Sequence, residues 1–203
     1  MANKIANHSV TIGTNNVFAT MNNLFLKDHN GQDYYHYYAD LDLCNLASLI
    51  AIGVFIDNKS MFDNAVNYVK TGPSNGAFPV FSVANFTEPG FEKVLMQGKE
   101  AGRDQCHATL DFALSGIVAQ QAYNQGVDLF ATYENEILNG AEYVDKYSVG
   151  CDVPYTPYLS YQGNKTVISN SSRGTIRPGF ELMSAHYGQL KELNSFWTDE
   201  YRD

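Results

Sequence analysis

The eight residues from 100 to 107 carry five polar side chains that could do chemistry. They are two acids, Glu100 and Asp104, with Arg103, Gln105 and His107. In a helix, Glu100, Arg103 and His107 fall at positions i, i+3 and i+7 and therefore share one face. An arginine can hold a carboxylate through two parallel hydrogen bonds, and a histidine can exchange protons near neutral pH. The stretch indicates either a site for an anionic ligand or an exposed Glu–Arg pair beside a solvated histidine.

A second stretch, residues 139–150, adds tyrosines to this chemistry. Tyr143 and Tyr147 lie at positions i and i+4, on one face of a predicted helix. Two tyrosines on one face usually belong to a core. A tyrosine beside an arginine, however, can have its phenol pKa lowered and can then take and return protons.

The composition predicts one folded domain over residues 1–203. Hydrophobic residues make up 44% and charged residues 17%, enough apolar surface for a substantial core. The net charge of −9 argues against a nucleic-acid partner, which needs a basic face. The three cysteines match no zinc spacing and form no closed disulfide framework, and no carboxylate cluster indicates a metal. We therefore expect no metal and no cofactor.

Two features bear on localisation. The first ten residues lack the apolar core of a signal peptide, and no apolar run reaches membrane-spanning length, so no membrane partner is expected. Five Asn-x-Ser/Thr sequons suggest a secreted glycoprotein. They begin at Asn7, Asn58, Asn85, Asn164 and Asn170.

Hydrophobic periodicity predicts helices that come in consecutive pairs. The predicted helices are 43–56, 60–70 with a capping box at Ser60, 100–125, 133–149 and 179–193. Residues 75–98 are predicted to form a long loop, and residues 151–178 an extended, turn-rich segment. This order is typical of an all-α fold of helical hairpins joined by long loops, either a bundle or a toroid.

Four segments resemble the core of the alginate-lyase-type polysaccharide lyases, which act on alginate or glucuronan. They are LMQGKEAGRDQCH, AYNQGVDLF, LNGAEYVDKYSVGCDVPYTPY and RPGFELMSAHY. With the apolar segment that precedes them, the resemblance covers roughly residues 36–188. It implies an incomplete α/α toroid, a secreted enzyme, and β-elimination on an anionic polysaccharide made of uronic acids.

The resemblance also implies roles for individual residues. β-Elimination needs a group that neutralises the C5 carboxylate, a base that removes the C5 proton, and an acid for the leaving oxygen. Arg103 and Gln105 would hold the carboxylate, and Glu100 would orient Arg103. His107 would be base or neutraliser, and Tyr147 the acid and possible base. Tyr143 is a further catalytic candidate, and the alternative tyrosines are Tyr155, Tyr158 and Tyr161. The candidates for substrate binding are Gln97, Asp40 and Asn45. Arg177 and His186 are expected in packing or at cleft edges.

The chain departs from the family pattern at several positions. Related sequences usually have Asn-Trp where this chain has Asp40-Leu41, and Asp40 would repel a substrate carboxylate. Lys99 stands where a Gln is common, and Cys106 where a Gly is common. Flanking regions usual in the family are also missing. The alternatives to an active lyase are thus a carbohydrate-binding relic of the lyase scaffold and a structural fragment.

Overall fold

The computed structural model describes residues 10–12, 15–17, 19–33 and 35–202. Helices form the framework, but three two-stranded antiparallel sheets accompany them. The predicted all-α incomplete toroid is therefore wrong, and the fold is mixed. The predicted long loop at 75–98 is wrong for the same reason, since most of it pairs as a β-hairpin.

Long helices carry the hydrophobic core. The α-helices in the described part of the chain are α1 (Ala19–Asp28), α2 (Ala39–Phe55), α3 (Lys59–Thr71), α4 (Phe78–Phe81), α5 (Gln105–Tyr123), α6 (Glu136–Ser148), α7 (Glu181–Met183) and α8 (Phe196–Arg202). Helix α2 packs against α1, α3 and α5, and α5 packs in turn against α6. Leu46, Ile50 and Phe112 are fully buried where these helices meet.

The helix ends follow from local chemistry. Asn58, rather than Ser60, is the N-cap of α3, and its side chain accepts a hydrogen bond from the Met61 amide at 3.1 Å. Asp104 caps α5 in the same way by accepting from the His107 amide at 2.9 Å. Gly140 allows α5 and α6 to approach closely, because a Cβ there would lie 1.9 Å from the Phe112 ring.

Within the described residues the strands form three antiparallel pairs. They pair β1 (Val10–Ile12) with β2 (Asn15–Val17), β3 (Ser82–Glu88) with β4 (Lys93–Gly98), and β5 (Tyr158–Ser160) with β6 (Gly163–Lys165). In the central hairpin Glu88 lies opposite Lys93, with Gly90 at positive φ in the turn. Strand β4 packs on α6 and buries Leu95 and Met96.

A helical segment of changing geometry leads to the last helix. It begins as a 3-10 turn at Pro178–Phe180, passes through α7 and continues as a π-helix at Ser184–Leu190. Glu142 of α6 then accepts the backbone amides of Trp197 and Thr198 at 3.1 and 2.8 Å. Because these amides open α8, a side chain of α6 caps the last helix.

No helix within the described ranges is both long enough and apolar enough to cross a lipid bilayer.

Candidate functional site

The residues from Glu100 to Asp104 form a turn between β4 and α5, so the prediction that Glu100 and Arg103 belong to a helix face is wrong. The turn nevertheless gathers the predicted polar groups. The Arg103 amide donates to the Glu100 carbonyl at 2.9 Å, and the Asp104 cap then directs the chain into α5. Three elements thus meet here: this turn, the start of α5 and the start of α2.

Arg103 lies at the centre of the site and is surrounded by acids. Its guanidinium is 3.3 Å from the Glu100 carboxylate and 3.5 Å from that of Asp40. Its Cζ lies 4.0 Å from the ring centroid of Tyr38, close enough for a cation–π interaction. Burial lowers the pKa of Arg103, but the acids Glu100 and Asp40 outweigh it and raise the pKa overall. The guanidinium therefore stays charged.

His107 links Arg103 to Asp104. Its Nδ1 lies 2.6 Å from an Asp104 carboxylate oxygen, and its Nε2 lies 3.1 Å from the Arg103 guanidinium. Because arginine can only donate, Nε2 is assigned as the acceptor and Nδ1 as the protonated nitrogen. Burial raises the pKa of Asp104, but the hydrogen bonds from His107 reverse this and hold it below its ordinary value. About a third of the His107 side chain is exposed.

Two buried carboxyl groups lie behind Arg103. Burial raises the pKa of Glu100 to about 7, although Arg103 opposes the shift. Asp111 is fully buried, its carboxyl oxygens have no hydrogen-bond partner among the described residues, and burial places its pKa well above the ordinary value. Burial therefore favours the protonated form of both carboxyl groups.

Tyrosines cover the solvent side of the site. Tyr37 and Tyr38 precede α2, and the edge of Tyr161, from the β5–β6 turn, meets both rings at 4.8 and 5.3 Å. The Tyr161 amide also donates to the His36 carbonyl at 2.8 Å. We name Tyr35, Tyr37, Tyr38 and Tyr161 the tyrosine shelf. Its first three members are neighbours in the sequence, whereas Tyr161 is brought to them by the fold.

The two predicted glutamines hold backbone segments together. Gln97 exchanges hydrogen bonds with both the amide and the carbonyl of Thr156, at 2.7 and 2.8 Å. Gln105 donates to the carbonyls of Ala101 and Ser169 at 3.1 and 2.8 Å. Both side chains are buried. They fix the extended segment at 151–178 against the turn that carries Arg103.

The two predicted catalytic tyrosines lie on α6. Tyr143 is 1% exposed, donates to the Pro154 carbonyl at 2.8 Å, and has its pKa raised by burial. Tyr147 is 5% exposed, and the Arg173 guanidinium lies 3.8 Å from its ring centroid. No described contact joins either tyrosine to Arg103 or His107. Their catalytic roles stay predictions.

The alternative tyrosines lie nearer to the turn. The Tyr158 hydroxyl accepts the Gly102 amide at 2.9 Å, and burial raises the pKa of Tyr158. Tyr155 donates to the Lys165 carbonyl at 3.1 Å, and burial raises its pKa to about 12. A Cβ on Gly102 would lie 2.4 Å from the Tyr155 hydroxyl, so this position needs glycine.

The remaining predicted residues occupy structural positions. Asn45 donates to the Leu41 carbonyl within its own helix, at 2.8 Å. Arg177 donates to the Cys106 carbonyl at 3.0 Å, and the His186 ring stacks on Phe130 with centroids 3.9 Å apart. Arg177 and His186 therefore pack as expected.

The fold also assembles a Ser–His–Asp group that the sequence did not indicate. His29 Nε2 lies 2.7 Å from Asp42 and 3.2 Å from the Ser74 hydroxyl, and Ser74 also contacts Asp42 directly. All three side chains are buried. One ring nitrogen faces both partners, whereas a relay needs the serine and the acid on opposite nitrogens. We interpret the group as a buried clamp between α1, α2 and the loop after α3.

The Arg103 side chain is 19% exposed, so the site is only partly open to solvent. Surface cavities of about 500 and 550 Å³ lie elsewhere, one between α1 and α3 and one between the π-helix and α8. Within the described ranges, no group of three or more His, Cys, Asp and Glu side chains is arranged to hold a metal ion.

Comparisons of the chain with protein-family models, with curated proteins and with solved structures found no match.

Proposed function

We propose that the protein cleaves a uronic-acid polymer by β-elimination. The observation that carries the proposal is the 3.1 Å contact between His107 Nε2 and the Arg103 guanidinium, with Asp104 on the opposite ring nitrogen. This places a proton acceptor beside a carboxylate-binding group. The resemblance of residues 36–188 to alginate-lyase-type enzymes supports the same reaction.

Each group has a defined task in this proposal. Arg103 binds the C5 carboxylate of the substrate and stabilises the enolate-like anion that forms at C5. When Arg103 turns from His107 Nε2 to the substrate carboxylate, the Nε2 lone pair becomes free to take the C5 proton, and Asp104 stabilises the resulting imidazolium. The electron pair of the broken C5–H bond forms the C4–C5 double bond as the C4–O bond breaks.

A tyrosine protonates the oxygen that leaves from C4. Tyr147 is the candidate that the resemblance implies, and Tyr38 is the candidate that its contact with Arg103 supports. Substitution of each by phenylalanine separates the two. The acid is the tyrosine whose loss abolishes turnover while polymer binding is kept.

A second candidate function is carbohydrate binding without turnover. Asp40 favours it, because its carboxylate lies 3.5 Å from Arg103 and occupies the position that a substrate carboxylate would need. The Asp40→Asn variant should then bind uronates more tightly than the wild type.

Secretion is part of either proposal, and the exposed sequon residues Asn85, Asn164 and Asn170 support it. Asn7 lies outside the described residues.

The experiment is to mix the protein with polymannuronate, polyguluronate and polyglucuronate and to follow the ultraviolet absorbance of the unsaturated product. A rise on one polymer that is lost in His107→Gln supports the lyase and identifies its substrate. A folded protein that binds a polymer without any rise supports the binding function instead. A folded protein that neither binds nor cleaves any of the three contradicts both.

A further inference from the structure

Lys99 is a half-buried cation whose direct contacts are with neutral groups. Its Nζ donates to the Tyr35 carbonyl and to the Asn75 side-chain oxygen, each at 3.1 Å, and lies 4.3 Å from the Tyr35 ring centroid. No ion pair joins Lys99 to any acid in the described part of the chain. The ammonium group has three donors, and the described residues supply oxygen acceptors for two of them.

Two other lysines show what the fold does with buried cations. Lys93 and Lys146 are mostly buried, and each forms an ion pair, with Glu142 and Glu88 respectively. Pairing of this kind compensates the loss of hydration. Lys99 loses hydration too, since burial lowers its pKa to about 8 although Asp33 opposes the shift. Lys99 therefore lacks the direct ion pair that Lys93 and Lys146 form, and the Asp33 carboxylate acts on it only from beyond ion-pair distance.

Lys99 and Arg103 share one feature, a tyrosine ring beneath the cation. Lys99 lies over Tyr35 and Arg103 lies over Tyr38, so the two cations face the tyrosine shelf at points three residues apart in one short segment. Three residues span at most about 11 Å, a length comparable to that of a disaccharide. Tyrosine rings offer flat apolar faces on which sugar rings can pack.

We propose that Lys99 is a second carboxylate-binding group, which holds the uronate next to the one held by Arg103 along the tyrosine shelf. This inference rests on the proposed function and specifies its substrate: a chain of at least two consecutive uronates. A ligand with a single carboxylate engages Arg103 alone. A longer ligand engages both cations and binds more tightly.

The test measures dissociation constants for a uronate monosaccharide, disaccharide and tetrasaccharide by calorimetry. Lys99→Met should weaken binding of the disaccharide and tetrasaccharide about tenfold, the loss of one charge-assisted contact, and leave monosaccharide binding unchanged. Lys99→Arg, which keeps the charge, should restore most of the affinity. Lys59→Met is the matched control, because Lys59 is highly exposed and lies on α3.

The outcomes separate the two proposals. If the wild type binds no uronate of any length, the proposed function fails and this inference falls with it. If the wild type binds uronates but Lys99→Met weakens all lengths equally, or none, the second anchor is refuted and the function stands. Thermal melting of each variant shows whether a loss of binding reflects a loss of folding.

Discussion

At the scale of single residues, the chemistry depends on how His107 is oriented. Asp104 has two tasks, since one carboxylate oxygen caps α5 and the other accepts from the His107 ring. The cap fixes the helix and the ring contact fixes the tautomer. The two tasks can be separated because asparagine caps helices about as well as aspartate does, whereas alanine does not.

We expect Asp104→Asn to lower kcat for uronate cleavage at least tenfold with little change in stability. The amide keeps the cap but stabilises the imidazolium poorly. Asp104→Ala should lose the same activity and, in addition, about 1 kcal/mol of stability, because the cap is gone. Steady-state kinetics and urea unfolding measure the two effects. Full activity in Asp104→Asn would show that Asp104 does not act through His107.

Glu100 should make folding stability depend on pH. Its pKa rises from an ordinary 4.5 to about 7 in the fold, so between these pH values the folded protein binds more protons than the unfolded chain. Stability then falls as pH rises through this window. The free energy of unfolding of the wild type should fall by about 3 kcal/mol between pH 4 and pH 8, and Glu100→Gln should abolish this decrease. Urea unfolding at the two pH values measures it; parallel wild-type and variant profiles would contradict it.

At the scale of secondary-structure elements, glycines decide how closely helices pack. Gly116 and Gly140 both lie inside helices, yet their surroundings differ. A Cβ at Gly140 would lie 1.9 Å from the Phe112 ring, whereas the nearest atom to a Cβ at Gly116 is 3.6 Å away, on Met183. The first distance is a clash and the second is an ordinary contact.

The same substitution should therefore have opposite effects at the two positions. We expect Gly140→Ala to destabilise the protein by about 1–3 kcal/mol, because Phe112 must move within a packed core. Gly116→Ala should stabilise it by about 0.5–1 kcal/mol, because alanine favours the helix. Denaturant unfolding of both variants checks the prediction. Equal changes would mean that the α5–α6 contact adapts freely.

The sequence predicts elements where the pattern is local. The apolar run near residues 43–56 and the three-to-four spacing after residue 110 correspond to α2 and α5. The sequence analysis fails at β3–β4, because these strands are stabilised by pairing with each other and by the packing of β4 on α6. Likewise, the sequence brings Arg103 and His107 together on a helix face, whereas the structure joins them through the turn before α5, and Tyr161 joins the shelf only through the fold.

At the scale of the whole molecule, a polar network connects distant parts of the chain. Glu142 on α6 pairs with Lys93 of the central hairpin and accepts the first amides of α8. Glu88 of the hairpin pairs with Lys146 and accepts the indole N–H of Trp197 at 3.0 Å. Ion pairs and hydrogen bonds of Glu88 and Glu142 therefore join the hairpin, α6 and α8.

We expect Glu142→Ala to destabilise the protein by about 3–5 kcal/mol, because Lys93 would stay buried without its partner. Glu181→Ala should cost less than about 1 kcal/mol, since Glu181 is exposed and its ion pair with Arg202 is solvated. Trp197 is the single tryptophan, so its fluorescence reports the docking of α8 directly. Equal losses of unfolding free energy in the two variants would show that burial of the network does not increase its contribution to stability.

The contact between Glu88 and Trp197 can form only late in translation. The two residues are 109 positions apart, so the central hairpin leaves the ribosome long before its last partner is translated. Until then, Phe91, which packs on Phe196 and Trp197, has no cover on that side. A nascent chain must therefore hold an incomplete surface while the residues between the hairpin and α8 are translated, and a product that ends before residue 196 presents this surface to proteases and chaperones.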